Sequence, residues 1–386
     1  MSFKKIIRKL HLWLGLPSAL IVLFLGITGC ILAFQKEIEF AVQDYRFVEA
    51  QDRPFLPPSK LKAIGAAQLP GKHLHAVLYE GRTDAAQVIF YAFAPKEYYY
   101  IVYVNPYDGT VLKVKDMDRD FFRQVILGHF YLWLPAHIGQ PIVASATLVF
   151  VVLMITGLIL WWPRNKAARR QRFRIKWNSA WRRRNFDLHG VLGFYMSFVA
   201  IVLAVTGLVW GFQWFARGLH ALAGGKQSLV YSEPLSDTTQ ARLSVGTAAI
   251  DRVYDLMRQE YPAAERIEVH IPESAAAPVA ANANADKDTY WKTDYRYFDQ
   301  YTLKELPVDH IYGRLNEASA GDKLIKMNYD LHTGAIWGLP GKILMFFASL
   351  IAASLPITGA LLWRGRQKKK KKPVPVQKAV PEATAV

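Results

Sequence analysis

The stretch Asp187-Leu188-His189-Gly190-Val191-Leu192-Gly193 opens a long apolar run, and its duplication decides the fold. Near the N-terminus, Leu10-His11-Leu12-Trp13-Leu14-Gly15 opens a second run of the same kind. Each run carries a Thr-Gly pair at the same distance after its histidine, at Thr28-Gly29 and Thr206-Gly207, so that both features recur 178 residues apart. The sequence therefore predicts one apolar helix that is present twice, with a histidine close to its start.

The apolar residues of the chain are gathered in four long runs. Because 52% of the 386 residues are hydrophobic and 13% are aromatic, a disordered protein is excluded. Each run approaches the roughly 20 residues that a helix needs to cross a bilayer. We therefore predict an α-helical membrane protein with four transmembrane helices. The runs are Leu10 to Phe34, Pro141 to Trp162, Leu188 to Phe215 and Ile343 to Trp363.

The net charge of +17 is concentrated in three segments. Residues 1–10, 163–186 and 364–386 hold four, ten and eight Lys and Arg residues, and only Glu382 opposes them. All three fall on one side of a four-helix topology, as the positive-inside rule predicts for cytoplasmic termini. We expect this charge, including the Lys368–Lys372 run, to face the anionic lipids of a bilayer rather than nucleic acid.

Both termini and the central basic loop are therefore expected in the cytoplasm, and two large segments are expected outside, in the periplasm. The predicted division is a cytoplasmic N-terminus (1–9), transmembrane helix 1 (10–34), a first periplasmic domain (35–128), a periplasmic approach with transmembrane helix 2 (129–162), a basic cytoplasmic loop (163–186), transmembrane helix 3 (187–215), a second periplasmic domain (216–331), a periplasmic approach with transmembrane helix 4 (332–363) and a basic cytoplasmic tail (364–386).

The single cysteine, Cys30, excludes an intramolecular disulfide, a thiolate metal cluster and a CxxCH haem attachment. Ile27-Thr28-Gly29-Cys30 also resembles a lipoprotein cleavage site. Cleavage there would discard His11, and the Thr-Gly pair has an alternative explanation as small residues at a helix packing surface. We therefore favour an uncleaved first helix.

Both periplasmic segments have the pattern of small α+β domains. In the first, residues 87–93 and 99–104 alternate as half-buried strands do, and Asn105 to Thr110 is a turn. In the second, a helix is predicted over 246–261 and a strand over 266–271. Glu273 to Lys287 is rich in Ala and Asn and is interpreted as a flexible surface excursion.

The even-numbered helices are duplicated as well. Gly139, Thr156-Gly157 and Trp161 recur 202 residues later as Gly341, Thr358-Gly359 and Trp363. The whole unit of helix, outer domain and helix is therefore expected twice. Because both copies enter from the same side, they are interpreted as parallel repeats.

The duplication selects four of the ten histidines. His11 is equivalent to His189, and His129 is equivalent to His332 after a slip of one residue. The first pair is expected at the cytoplasmic face and the second at the periplasmic face. Two imidazoles that face each other across a bundle suit the two axial positions of a haem iron. The prediction is two haem groups, one held by His11 and His189 and one held by His129 and His332.

Other interpretations of the histidines remain open on the residues alone. An interfacial histidine commonly snorkels to the interface or caps a helix. A two-zinc protein would need further ligands at each face, where only Asp187 and Asp330 are near. A proton path would need a relay of Asp, Glu or His in the helix middles, which the sequence lacks.

Several of these motifs together resemble the PepSY-associated transmembrane family, and within it the FoxB-type ferric-siderophore reductases of the bacterial inner membrane. The resemblance covers the chain to about Trp363. One departure is the run Asp299 to Lys304, which lacks the usual turn glycine. The motifs are Leu10-His11-x-x-Leu14-Gly15, Asp187-Leu188-His189-Gly190-x-x-Gly193, Tyr103 to Leu112 and Asp330-Leu331-His332-Thr333-Gly334.

The resemblance implies two PepSY-like periplasmic domains and a dihaem b-type cytochrome that passes electrons to a periplasmic ferric siderophore and releases Fe(II) for iron uptake. His11, His189, His129 and His332 match the family's haem ligands. No nucleotide or flavin motif is present, so the electron donor is expected to be a quinol or a partner reductase. Arg8, Lys9, Arg183 and Arg184 are candidates for pairing with haem carboxylates, or simply provide positive-inside charge.

Two alternative functions compete with this one. The outer domains would form a non-enzymatic peptide-binding or protease-modulating module on a membrane anchor, which needs no histidine pairs, or the protein is a membrane cytochrome b that serves another acceptor. The haem interpretation also has a geometric difficulty, because a helix of 24 residues is about 36 Å long. His129 would have to lean inward, and Pro135 and Pro141 are candidates for that bend.

Overall fold

A computed structural model describes residues 2–92, 97–163, 165–243 and 248–370. Parts of five predicted elements lie outside these ranges. They are Met1 of the predicted cytoplasmic N-terminus, the end of the first predicted strand at Phe93, Arg164 of the predicted basic loop, the start of the predicted helix at Gly246, and residues 371–386 of the predicted cytoplasmic tail, which include the last two lysines of the Lys368–Lys372 run.

Four helices are long and apolar enough to cross a membrane. They are α1 (Phe3–Ala33), α5 (Ala136–Trp161), α7 (Trp181–Gly211) and α12 (Gly338–Lys370). Helices α1, α7 and α12 extend beyond the predicted apolar runs into the basic segments, because Arg and Lys are good helix formers and their stems reach to the membrane surface. The four-helix prediction is confirmed, and the chain is a membrane protein.

The shorter helices lie between the spanning helices. They are α2 (Gln35–Val42), α3 (Pro58–Gln68), α4 (Phe121–Tyr131), α6 (Lys166–Arg172), α8 (Gln213–Leu222), α9 (Ala248–Glu260), α10 (Ala320–Lys326) and α11 (Asn328–Thr333), together with 3₁₀ turns at Asp44–Arg46, Met117–Arg119, Thr238–Leu243 and Ala335–Trp337.

The spanning helices form a closed ring. Helix α1 packs against α5 and α12, and α7 packs against the same two helices from the other side. Small residues allow the closest approach: a Cβ atom on Gly26 of α1 would lie 2.8 Å from Ala353 Cβ of α12. In this ring α1 and α7 lie on one diagonal, so side chains from these two helices can face each other across the centre.

The two outer segments build one antiparallel sheet of eight strands in the order β4-β3-β2-β1-β5-β6-β7-β8. The sequence predicted two separate outer domains, whereas the structure joins them through the β1–β5 pair, in which Val77 lies opposite Val269. This pairing supplies hydrogen-bond partners to the edges of β1 and β5, which each segment alone would leave unpaired. The strands are β1 (Leu74–Tyr79), β2 (Ala86–Ala92), β3 (Tyr98–Val104), β4 (Val111–Asp116), β5 (Arg266–His270), β6 (Val279–Asn284), β7 (Asp294–Phe298) and β8 (Glu305–Leu306).

The main core of the outer region lies between one face of this sheet and helices α3 and α9. Leu61 of α3 and Met257 of α9 are fully buried against strand residues such as Val88 and Val269. Because one helix from each outer segment shares this core with strands from both, the two segments are packed as a single unit.

The interpretation of Glu273 to Lys287 as a surface excursion is wrong, because β6 runs through it between β5 and β7. Its alanines, Ala281 and Ala283, are buried where α9 crosses the strand, which explains the small residues. Its asparagines are also buried, and Asn284 donates to the Thr289 carbonyl at 2.5 Å. Low strand propensity was therefore overridden by packing and by side-chain hydrogen bonds.

Candidate functional site

His129 and His332 are carried into the bundle by two short helices that precede α5 and α12. His129 lies on α4, which packs against α1 and α5, and His332 lies on α11, which packs against α7. Helix α4 ends at Leu132, whose φ of 54° reverses the chain, and α11 ends at Gly334 with φ of 80°. These turns, rather than a bend at Pro141, turn the chain back so that both histidines reach the spanning helices.

The duplicated glycines Gly139 and Gly341 lie at the closest contacts of these reversals. A Cβ atom on Gly139 would lie 2.0 Å from the Tyr131 carbonyl oxygen, and one on Gly341 would lie 2.1 Å from the Gly334 carbonyl oxygen. Any side chain at either position would therefore displace the end of the short helix from the first turn of the spanning helix.

Each of the four predicted histidines bonds to the threonine of a Thr-Gly pair. The Nδ1 atom of His11 lies 2.9 Å from Thr156 Oγ1, and that of His189 lies 2.9 Å from Thr358 Oγ1. At the outer end, Nδ1 of His129 lies 2.7 Å from Thr28 Oγ1, and Nδ1 of His332 lies 2.8 Å from Thr206 Oγ1. The duplicated Thr-Gly pairs therefore do more than pack helices together, since each one positions a histidine.

The glycine of each pair makes room for the same ring. A Cβ atom on Gly157 would lie 3.5 Å from His11 Cε1, and one on Gly359 would lie 3.3 Å from His189 Cε1. Gly29 and Gly207 have the same relationship to His129 and His332, at 3.7 and 3.8 Å. The threonine thus supplies the hydrogen bond, and the glycine leaves room for the edge of the imidazole beside the helix.

The threonine hydroxyls determine which ring nitrogen carries the proton. Each hydroxyl donates its only proton to the carbonyl four residues earlier on its own helix, for example Thr28 to Phe24 at 2.9 Å and Thr206 to Val202 at 2.6 Å. Thr156 and Thr358 do the same. The hydroxyl oxygen can then only accept from the histidine, so Nδ1 carries the proton and Nε2 keeps its lone pair. In each ring, Nε2 is therefore the nitrogen through which a metal would bind.

His129 and His332 face each other at the outer end of the bundle. Their ring centroids are 6.3 Å apart, with an angle of 71° between the ring planes. Two imidazoles that bind one metal from opposite sides, at metal–nitrogen bonds of about 2.0 Å, have centroids about 6 Å apart. The spacing of this pair fits an iron held between the rings.

His11 and His189 share the wall of a cavity of about 380 Å³ at the basic end of the bundle. The cavity reaches between all four spanning helices, and most of its wall is apolar, with Leu12, Val22 and Phe150 among the lining residues. Four arginines and Asp187 also line it. A flat apolar macrocycle with a charged edge fits a space of this character between two imidazoles.

The family model for the PepSY-associated TM region matches residues 8–366. The chain belongs to the PepSY-associated transmembrane family. No curated protein matches the chain. In this family member the matched region contains all four spanning helices apart from their ends, the eight-stranded sheet and the four histidines.

Two asparagines complete the histidine sites of this PepSY-associated protein. Asn185 donates to the Thr358 carbonyl at 3.0 Å, and Asn328 donates to the Thr206 carbonyl at 3.0 Å. Asn185 lies four residues before His189, which bonds to the Thr358 hydroxyl, and Asn328 lies four residues before His332, which bonds to the Thr206 hydroxyl. Both are almost fully buried, at 3% and 5% exposed. Helices α7 and α11 therefore each hold one threonine at two points.

Two aspartates on the same helices bind the chain outside the bundle. Asp187 accepts from Arg183 at 3.0 Å and from the Lys176 backbone N–H at 3.3 Å. Asp330, which is fully buried, accepts from the Tyr290 and Trp291 backbone N–H groups at distances between 2.8 and 3.1 Å. Each aspartate thus connects the helix of one histidine to a loop on its own face of the membrane.

The sequence contained a signal for these residues that the sequence analysis missed. Residues 185–189 read Asn-Phe-Asp-Leu-His, and residues 328–332 read Asn-Tyr-Asp-Leu-His. One copy of this repeat lies at an inner site and the other at an outer site, and both are in the second half of the chain. A comparison of equivalent helices between the two halves therefore does not find it. The first half has Ile7 and Val125 at the positions of the asparagines.

The other predicted site residues are only partly brought to the inner cavity. Among the described residues that line it, Arg8 and Arg183 are present, while Lys9 and Arg184 are not. Within the described ranges, no group of three or more His, Cys, Asp or Glu side chains is placed to hold a metal ion. A metal bound by these histidines would therefore have two protein ligands at each site. Its remaining ligands would come from a macrocycle.

Proposed function

We propose that this membrane protein is a dihaem b-type reductase that passes electrons to iron(III) held by a periplasmic siderophore. The observation that carries the proposal is the repeated hydrogen bond from histidine Nδ1 to threonine, which leaves four Nε2 lone pairs free in two pairs. His11 and His189 would hold one haem b, and His129 and His332 would hold the other. Bound haem supplies one-electron transfer.

The protein's own residues give each pair the environment that this chemistry requires. Apolar side chains from the four helices form most of the wall of the inner cavity, and the threonines hold the imidazoles in one orientation. At the outer end, Trp210 lies against His332 with ring centroids 5.2 Å apart. Trp210 therefore covers His332 on the side that faces the end of α7.

The position of the outer pair also eases the difficulty over distance. His129 bonds to Thr28, which lies 17 residues after His11 on α1. At 1.5 Å per residue, the positions of His11 and Thr28 are about 26 Å apart along α1. This distance is shorter than the roughly 36 Å expected for the whole predicted helix. The short helix α4 therefore shortens the distance that electrons would cross, because it brings His129 inward from the outer end of the bundle.

The direction of transfer follows from the charge distribution. The basic segments favour a cytoplasmic position for the end of the bundle with His11 and His189, and a periplasmic position for the sheet. Electrons from a quinol or a partner reductase would enter at the first pair and leave at the second. Oxygen donors of a siderophore bind Fe(III) far better than Fe(II), so a single electron loosens the metal and leaves the chelator intact. The ferric siderophore as acceptor is supported by the family resemblance.

A reduced-minus-oxidised absorbance spectrum of the purified protein tests the proposal. We expect haem b bands from two centres, and we expect His129→Ala or His332→Ala to remove one of them. His137→Ala is a matched control, because His137 lies exposed near the same end of the bundle. A protein without haem bands would instead fit the membrane-anchored peptide-binding or protease-modulating module, and haem without ferric-siderophore reduction would indicate a cytochrome b with another acceptor.

A further inference from the structure

The inner cavity has a cationic edge. Four arginines from four helices line its basic end: Arg8, Arg172, Arg183 and Arg366. At the outer ends of α4 and α12, by contrast, Arg123 lies 3.8 Å from Glu97 and Lys342 lies 2.6 Å from Glu37. The inner cavity thus presents several positive charges along one edge to a ligand.

Two of the four arginines are already engaged by the protein. Arg172 donates to the carbonyl oxygens of Leu160 and Trp161, at 3.2 and 2.6 Å, and so caps the end of α5. Arg183 pairs with Asp187 at 2.9 Å. These contacts explain both side chains without a ligand.

Arg8 and Arg366 have no carboxylate partner in the described part of the chain. Arg8 lies three residues before His11, one turn nearer the basic end of α1. Arg366 lies seven residues after Gly359, the glycine that faces His189, so it is two turns further along the same side of α12. Helices α1 and α12 pack against each other, which places both guanidinium groups on one side of the cavity.

The arrangement of apolar wall, paired imidazoles and free guanidinium groups points to one kind of ligand. Guanidinium binds carboxylate through two parallel hydrogen bonds and remains charged at every physiological pH. A ligand that fills the cavity would have a flat apolar body and carboxylates on one edge. A haem b has two propionates on one edge, so each arginine would receive one.

We propose that Arg8 and Arg366 bind the two propionates of the inner haem and thereby set the reduction potential of that centre. The inference rests on the proposed function. Positive charge beside the propionates favours the reduced iron, which has one positive charge fewer than the oxidised iron. The arginines raise the potential of the inner centre. The phosphate of an anionic lipid has similar oxygen chemistry and is the competing source of negative charge at this edge.

The test is a spectroelectrochemical titration of both centres in nanodiscs of phosphatidylcholine, which lacks a net negative charge. His189→Ala identifies the inner centre by its loss. We expect Arg8→Gln and Arg366→Gln each to lower the inner midpoint potential by an amount that corresponds to about a tenfold change in the ratio of oxidised to reduced iron, which is 59 mV for one electron. The outer midpoint should stay unchanged. Resonance Raman bands of the propionate groups should shift in the same two variants.

Two further variants serve as controls for the loss of positive charge and for the shape of the side chain. Arg182→Gln removes the same charge from an exposed position of α7 that is not part of the cavity lining, and it should leave both potentials unchanged. Arg8→Lys keeps the charge without the planar fork, so it should fold like the original protein and give a smaller shift than Arg8→Gln.

The inference is overturned if both haems are retained and neither glutamine variant moves the inner potential, or if Arg182→Gln moves it equally. A shift that appears only when anionic lipid is added assigns the arginines to lipid phosphate and also overturns it. A purified protein with no haem bands would instead show that the proposed function itself is wrong, and the inference would fall with it.

Discussion

His332 donates from Nδ1 to the hydroxyl oxygen of Thr206 at 2.8 Å, across the contact between α11 and α7. The hydroxyl proton of Thr206 is used on the Val202 carbonyl, so the bond fixes both the tautomer and the orientation of the imidazole. The same relationship occurs at the other three histidines. A hydrogen bond that recurs in this way can be tested one site at a time.

Replacement of Thr206 by Val should weaken haem binding at the outer site by about 10- to 100-fold, because an outer-shell partner of a metal ligand contributes on this scale. The measurement is the rate of haem transfer from each centre to an excess of a haem-binding acceptor protein. Thr147→Val is the matched control, since Thr147 lies close to Gly207 and its hydroxyl bonds to the Val143 carbonyl of its own helix. Equal retention of the outer haem in Thr206→Val and in the control would contradict the assigned role.

Asn328→Ala and Asn185→Ala should act on different centres. Each asparagine is buried and donates to the carbonyl of the threonine that holds one histidine, so its loss removes one hydrogen bond at a net cost of about 0.5–1.5 kcal/mol. We expect Asn328→Ala to alter the low-spin electron paramagnetic resonance signal of the outer centre, and Asn185→Ala that of the inner centre. Each variant is the control for the other, and a change in both signals from one substitution would rule out a local role.

Gly139→Ala should destabilise the protein strongly. The added methyl group would lie 2.0 Å from the Tyr131 carbonyl oxygen, where the neighbouring atoms are backbone and cannot move aside cheaply. Overpacking of this kind typically costs about 1–3 kcal/mol or more. Gly218→Ala is the control, because nothing lies within 4 Å of its added Cβ and alanine favours the helix α8. Thermal unfolding in detergent measures both, and a melting temperature for Gly139→Ala as high as that of Gly218→Ala would show that the contact yields.

The outer sheet should lose stability in acid through Glu305. This carboxylate accepts from Arg296 and from Arg314, each at 2.6 Å, and the two guanidinium groups, acting against partial burial, lower its pKa to about 2. Because the folded pKa lies below the ordinary value of 4.5, the stabilisation is complete above pH 4.5 and is lost as the pH falls towards 2. Unfolding by denaturant at a series of pH values should show this slope in the original protein.

Glu305→Gln should be less stable at neutral pH and should lack that part of the acid dependence. Glu317→Gln, at an exposed position of the same region, is the control and should retain it. If Glu305→Gln and the original protein lost stability in parallel below pH 4.5, the ion pairs with Arg296 and Arg314 would not be the cause.

The sequence allowed prediction of the four spanning helices and of the four histidines, because both depend on patterns within short segments. Apolar runs of sufficient length have only one stable form in a bilayer. The duplication then singled out His11, His189, His129 and His332, which the structure brings together as the two expected pairs at opposite ends of the bundle. The exact recurrence of Thr-Gly was visible, but its contact with histidine was not, because it joins residues that are more than 100 positions apart.

Features that depend on contacts between the halves could not be predicted. The β1–β5 pair depends on how two outer segments meet, and each segment alone has the pattern of a complete small domain. Strand β6 was missed because Ala and Asn have low strand propensity, and only the overlying helix α9 explains them. Asn185 and Asn328 were missed because their partners are backbone carbonyls, which have no sequence signature.

Each histidine pair takes one member from each half of the chain, and so does the central β1–β5 pair of the sheet. An antiparallel strand pair is also what a two-fold axis through a sheet generates. A protein with only one such half would therefore complete neither pair as a monomer, whereas two copies related by a two-fold axis would complete both pairs and join their sheets at once. The two halves of the chain therefore depend on each other for both histidine pairs and for the continuity of the sheet.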